Sequence, residues 1–192
     1  PTRLLVEESI ADDVLARVIA ESAPYRPGNP LDPATRMGAM VDANHCRTVM
    51  SYIDKGRTEA RLALGGNRVT IGSSDNFIEP TIFADVAPDA TIAREEIFGP
   101  VLSVIPFRTE EDAVRIANDS IYGLMASVFT SNLGRAHRMA DALKAGTVTV
   151  NTVDKISPLV PFGGVRQSGN GRDNSLHAFD KYTQIKTTWI EY

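Results

Sequence analysis

Between residues 101 and 150 the chain alternates strand-like and helix-like segments with a regularity that few architectures accept. Residues 101–107 (VLSVIPF) read as a strand of apolar and β-branched residues. Thr109 opens a helix with Glu110 and Glu111 in its first turn, where carboxylates oppose the positive end of the helix dipole. Residues 125–130 read as a second strand, 132–145 as a second helix closed by Gly146, and 147–150 as a third strand. Parallel neighbours need a crossover connection, and helices of this length supply it. The expected fold class is α/β, with a parallel sheet flanked by helices.

The first hundred residues fit that class less rhythmically. Residues 2–6 read as a short buried strand and 8–21 as a helix, with Ile10, Val14, Val18 and Ile19 at helical spacing. Residues 25–35, rich in Pro and Gly, read as a loop, and 41–60 as a second helix. Gly65-Gly66-Asn67 is a turn, 72–76 reads as loop, and strand character returns at 80–83. At the other end a short helix is expected near 175–179. Thr183, Ile185, Thr187 and Trp189 then alternate with Gln184, Lys186, Thr188 and Ile190, the pattern of a terminal strand with no helix after it. Such an edge invites pairing with another chain. The expected division is a main domain over 1–180 and a C-terminal oligomerisation strand over 181–192.

Charge and cysteine content narrow the function. Net charge is −4 and no Lys/Arg block is present, which argues against nucleic-acid or membrane-surface partners. The longest uncharged stretch, 120–134, is too short and too polar to span a bilayer. A single cysteine, Cys46, permits no internal disulfide and suits a reducing, cytoplasmic setting.

Few residues stand out as chemically poised. Cys46 falls in line with Val49, Met50 and Ile53, as a small buried thiol would, and His45 beside it points about 100° away on a helix. The three histidines, His45, His137 and His177, lie far apart without metal-ligand spacing, so no metal is expected. Ser168 stands in Q-S-G, not in a nucleophile elbow. The segment PFGGVRQSGNGRDNS (161–175) satisfies neither the dinucleotide fingerprint nor the P-loop, because Asn174 and Asn170-Gly171 occupy decisive positions. It reads as a loop that uses glycine for tight turns. Glu95-Glu96, followed by Phe98-Gly99-Pro100, admits two readings. It is either a solvated helix end or an acidic group beside a ring, suited to a ligand carrying a diol and a flat heterocycle.

Four segments, EEIFGPVL (95–102), NDSIYGL (118–124), AGTVTVN (145–151) and PFGGVRQSGNGRD (161–173), together resemble the aldehyde dehydrogenase superfamily in order and spacing. The resemblance covers essentially the whole chain. Within the family, QSGNGRDNSLHAFDKYTQIKTTWI (167–190) is most similar to the γ-glutamyl-γ-aminobutyraldehyde dehydrogenases. The resemblance implies oxidation of an aldehyde to a carboxylic acid with NAD or NADP as cofactor. A cysteine thiolate attacks the aldehyde, hydride leaves for the nicotinamide, and a glutamate-activated water releases the acid.

The same resemblance implies that the catalytic cysteine, the general-base glutamate and the Rossmann-like domain lie upstream of Pro1. No catalytic residue is therefore assigned here, and the chain alone is expected to be inactive. Glu96 matches the glutamate that hydrogen-bonds the nicotinamide ribose, and Phe98 the aromatic residue near the nicotinamide. His45 stands where many members have a glutamine near the adenosine ribose. Asp154, Ile156 and Phe162 match the loop that lines the aldehyde tunnel, which places the glycine segment beside an active-site wall. A homodimer or homotetramer through the terminal strand is implied. Two other readings compete: a non-catalytic binding or oligomerisation module that keeps the fold, and a relative transferring acyl groups to coenzyme A.

Overall fold

The structure is a computed structural model that describes residues 2–192. It divides into two compact units, residues 1–113 and 114–192. Among the described residues no helix is long and apolar enough to cross a membrane.

The first unit is built on a four-stranded sheet. Its strands are β1 (Arg3–Glu7), β2 (Arg61–Leu64), β5 (Thr81–Ala84) and β6 (Val101–Phe107), in the order β1-β6-β5-β2. β6 runs parallel to both β1 and β5, and β2 closes the edge antiparallel to β5. Central strand β5 is buried at every position, as a strand covered on both faces must be. On one face Val6, Ile82, Ala84 and Val104 pack with Leu15, Val14 and Val18 of helix α1 (Ala11–Ser22). Helix α2 (Ala43–Glu59) buries Cys46, Val49, Ile53 and Gly56, and Gly56 lies directly against the Phe83 ring of β5. Asp42 caps α2 by accepting the His45 N–H at 2.7 Å, which satisfies an otherwise orphaned donor.

Two elements here escape a sequence reading. Residues 72–76, expected as loop, fall largely within a hairpin of β3 (Arg68–Ile71) and β4 (Ser74–Ile78). Its strand SDNFI carries Ser, Asp and Asn, which have low strand propensity. β2 is short, and its Leu-Ala-Leu core (62–64) has no β-branched residue to announce a strand.

The second unit holds a parallel pair, β7 (Met125–Val128) and β8 (Thr147–Val150), joined by helix α5 (Leu133–Ala142). Helix α4 (Glu110–Asn118) precedes them. The expected alternation is therefore present element by element, but β6 pairs within the first unit while β7 and β8 form a sheet of their own. Asn151 follows β8 with φ +54°. Its side chain accepts from the Thr130 N–H at 2.8 Å and donates to the Thr130 carbonyl at 2.9 Å, continuing the ladder for one more step.

A 3-10 turn (Leu176–Lys181) stands where a short helix is expected. Among the described residues, 183–192 are assigned to no strand. No strand among the described residues is paired with this segment, and an extended segment gains ladder hydrogen bonds only from a neighbour.

Candidate functional site

The most constrained exposed feature of the first unit is the turn between α3 (Thr91–Arg94) and β6. α3 is a single helical turn, too short to stand alone. Two side chains hold it from below. The Glu59 carboxylate accepts from the Thr91 hydroxyl at 2.6 Å and from the Ile92 N–H at 3.4 Å. Buried Ser103 donates its hydroxyl to the Ile92 carbonyl at 3.0 Å. Ile92 itself is 1% exposed. Removing the acceptor by Glu59→Ala is expected to cost about 1–2 kcal/mol, the range of a lost cap that leaves a donor unpaired. A shift of the urea midpoint at constant slope checks it, and an unchanged midpoint would show that α3 is held by packing alone.

Glu95 and Glu96 leave this platform with different fates. The Tyr52 hydroxyl of α2 donates to the Glu95 carboxylate at 2.6 Å. The Glu96 side chain is exposed and has no hydrogen-bond or ion-pair partner among the described residues. Adjacent carboxylates thus divide into one structural group and one with all its acceptor positions open. Nothing in the sequence announces Tyr52, which lies 43 positions away from Glu95.

Past buried Ile97 the backbone turns sharply. Phe98 takes φ +55°, a left-handed conformation that costs an L-residue about 1–2 kcal/mol, and its side chain is 74% exposed. An aromatic residue both strained and exposed gains nothing for folding, so its context must hold it there. Gly99 sits so close to Val49 that a Cβ would come within 2.6 Å of Val49 Cγ1. The Pro100 carbonyl accepts from the Thr81 N–H at 2.8 Å, which ties the turn to β5. His45 Nε2 lies 2.8 Å from the Phe98 carbonyl. A carbonyl only accepts, so Nε2 carries the proton. Of the three expected cofactor residues, His45 contacts the Phe98 backbone directly, and Glu96 stands two positions before Phe98 in the same turn.

A free carboxylate can accept both hydrogens of a vicinal diol, and an exposed ring two residues on offers a face for a flat heterocycle. Cys46 is fully buried in the helix interface, 3.9 Å from the Asp75 carbonyl, where a thiol behaves as a small apolar group.

In the second unit, Asp154 lies at φ +50° and Ile156 is 57% exposed. Phe162 is half-buried, and its backbone pairs with Asp173 through bonds of 2.8 and 2.7 Å. The glycine segment that follows is clamped. Arg172 donates to the carbonyls of Gly164 and Gly171 at 2.8 and 2.7 Å, and Lys181 pairs with Asp173. That pairing holds the Lys181 ammonium pKa above its ordinary value, first through the hydrogen bond to Asp173. Arg166, at φ +57°, donates to the carbonyls of Asn118 and Ser120. These bonds hold the glycine segment in place, and no feature of a phosphate cradle is required to explain its glycines.

A parallel sheet flanked by helices, carrying the four motifs in order, is the class of α/β protein that the sequence suggests. The aldehyde dehydrogenase family model matches residues 1–188, and the chain belongs to the aldehyde dehydrogenase family. It is 52% identical over 189 residues to the NADP/NAD-dependent aldehyde dehydrogenase PuuC of Escherichia coli (strain K12), covering 98% of this chain and 38% of PuuC. Among solved structures it is similar to the indole-3-acetaldehyde dehydrogenase AldA of P. syringae, a mutant in complex with NAD+ and IAA. There the TM-score is 0.95 at 55% identity, over 100% of this chain and 39% of that one. It is also similar to the γ-glutamyl-γ-aminobutyraldehyde dehydrogenase from Burkholderia cenocepacia J2315. The TM-score is 0.94 at 54% identity, over 97% of this chain and 38% of that one. The chain thus spans about two fifths of the length of the relatives it matches.

Proposed function

We propose that this chain is the segment of an NAD(P)-dependent aldehyde dehydrogenase that receives the nicotinamide end of the cofactor. We also propose that the whole protein converts a γ-glutamylamino or ω-amino aldehyde, water and NAD(P)+ into a carboxylic acid, NAD(P)H and a proton. The cofactor supplies the hydride acceptor. This chain's residues bind and orient: Glu96 accepts from the ribose hydroxyls, and Phe98 packs near the nicotinamide. Asp154, Ile156 and Phe162 line the aldehyde path of the second unit. The observation that carries the reading is the free Glu96 carboxylate beside a strained, exposed Phe98, on a platform that Glu59 and Ser103 hold in place. The names of PuuC and the Burkholderia enzyme support the cofactor and substrate class.

A cytoplasmic homodimer or homotetramer through residues 181–192 completes the proposal. Its support is the exposure of Ile185 (99%) and Trp189 (87%) in a segment that pairs with no strand among the described residues. Purified full-length protein tests the reading by NADH absorbance with two aldehydes. Turnover with γ-glutamylaminobutyraldehyde at least ~10-fold more efficient than with indole-3-acetaldehyde is expected, the discrimination that one well-fitted pocket supplies. The reverse order would overturn the substrate class, and no NADH with either would overturn the activity. In sedimentation, a monomeric preparation would contradict the assembly.

A further inference from the structure

We infer that Arg166 is a positioning residue for the aldehyde path, which acts on Phe162 through the glycine pair 163–164 and not by touching the aldehyde. The inference rests on the reading of Phe162 as part of that path. Arg166 takes φ +57°, a left-handed conformation that disfavours any residue with a Cβ, at the start of a single 3-10 turn (Arg166–Ser168). A turn this short does not hold itself. The guanidinium supplies a hold: Nη1 donates to the Asn118 carbonyl at 2.8 Å and to the Ser120 carbonyl. Both carbonyls stand at the C-terminal end of α4, where unpaired acceptors and the negative end of the helix dipole favour a cation.

The post that Arg166 grips is itself fixed. The Asn118 side chain donates to the Ala142 carbonyl at 2.9 Å and accepts from the Lys144 N–H at 2.8 Å, which ties the end of α4 to the end of α5. From the 3-10 turn the hold passes to Phe162 by close packing. Gly164 lies so near Ser168 that a Cβ would come within 2.5 Å of Ser168 Cβ and 2.9 Å of its carbonyl oxygen. The Gly163 carbonyl oxygen is 1.7 Å from where a Cβ on Gly146 would stand. The glycine pair is thus wedged between the turn and the entry to β8, and Phe162 immediately precedes it. The N–H groups of Val165 and Gln167 donate to the carbonyls of Gly123 and Ile121, both at 3.0 Å. These rungs keep the segment attached without the guanidinium, which fixes the left-handed residue between them.

The test compares wild type with Arg166→Met, Arg166→Gly and Arg166→Lys in the full-length protein. Methionine keeps much of the stem and loses the donors. Glycine loses the donors but accepts the left-handed φ, and lysine keeps a cation that can donate to both carbonyls. In the substrate-free protein, amide hydrogen exchange of the peptide spanning 161–168 is expected to rise about tenfold in Arg166→Met and Arg166→Gly, and to stay within about threefold of wild type in Arg166→Lys. KM is expected to rise about fivefold in the first two variants for both charged γ-glutamylaminobutyraldehyde and uncharged indole-3-acetaldehyde, with KM for NAD+ unchanged. Because glycine relieves the backbone strain, a rise in Arg166→Gly separates positioning from a general loss of stability. Unchanged exchange in Arg166→Met and Arg166→Gly would overturn the pin. A rise in KM for the charged aldehyde alone would assign the guanidinium a direct substrate contact and overturn the positioning role. Phe162→Ala serves as the separate control. If it raises both aldehyde KM values while Arg166→Gly raises exchange and neither KM, the positioning role is overturned. If it leaves both KM values unchanged while the exchange pattern holds, the pin stands and the aldehyde-path reading fails.

Discussion

Glu96→Ala in the full-length protein is expected to lower kcat/KM for NAD+ by about 10- to 100-fold, the loss of a hydrogen-bonded charged acceptor worth about 1.5–3 kcal/mol. Two features make the effect large. The carboxylate has no partner among the described residues, so none of its hydrogen-bonding capacity is spent on folding. It also projects from a turn held by Glu59, Ser103 and Thr81, so the acceptor is oriented before any ligand arrives. Stability should barely move, because an exposed, unpaired side chain contributes little. Glu96→Gln keeps one acceptor oxygen and should lose less, about tenfold at most. Glu95→Ala is the informative contrast. Its carboxylate is bound by Tyr52, so it should loosen the turn and lower the unfolding midpoint without the same selective loss against NAD+. Kinetics and urea unfolding on the three variants check this, and equal losses in Glu95→Ala and Glu96→Ala would refute the division of roles.

Gly146→Ala is expected to destabilise the protein by about 3 kcal/mol or more, at or beyond the upper end of ordinary overpacking. A Cβ at this position would lie 1.7 Å from the Gly163 carbonyl oxygen and 2.8 Å from its carbon. Both are backbone atoms, so no rotamer change relieves the clash. The entry to β8 and the glycine segment must separate. The separation strains a junction in which the Gly123 carbonyl accepts from the N–H groups of Gly146 and Val165, both at 3.0 Å. Against a typical net stability of about 5–15 kcal/mol the loss is severe. Gly72→Ala is the control. Gly72 has φ +61° but no atom within 4 Å of its would-be Cβ, so it should cost only the conformational term, about 1 kcal/mol. Chemical denaturation of both variants at matched slope separates the two mechanisms, and similar midpoints would show that close approach is not what Gly146 serves.

Glycines 146, 163 and 164 show where sequence reading succeeds and where it stops. That the 161–175 loop is no phosphate cradle follows from spacing alone, because Lys and the third fingerprint glycine are missing. What the glycines approach is a matter of tertiary contact, and no local pattern encodes it. The same holds for Glu95 and Glu96. Their neighbourhood to a ring is visible in the string EEIFGPVL, but which carboxylate is free depends on Tyr52, brought in by α2. The helices and most strands are legible because their periodicity and caps are local. The β3–β4 hairpin is not, because its polar residues are retained by pairing. Residues 183–190 alternate as a strand does, yet alternation gives a preference without a partner. His45 is the clearest case of a residue whose contact within the fold is not local. Its helical position is readable, but its hydrogen bond to a turn 53 positions away is not.

The central claim is that the nicotinamide end of the cofactor rests on the Glu96–Phe98 turn. A crystal structure of the full-length protein with NAD+ tests it most directly. The Glu96 carboxylate is expected within hydrogen-bond distance, about 2.6–3.2 Å, of the nicotinamide ribose hydroxyls, with the Phe98 ring against the nicotinamide. A dinucleotide bound elsewhere, with Glu96 left to solvent, would contradict it.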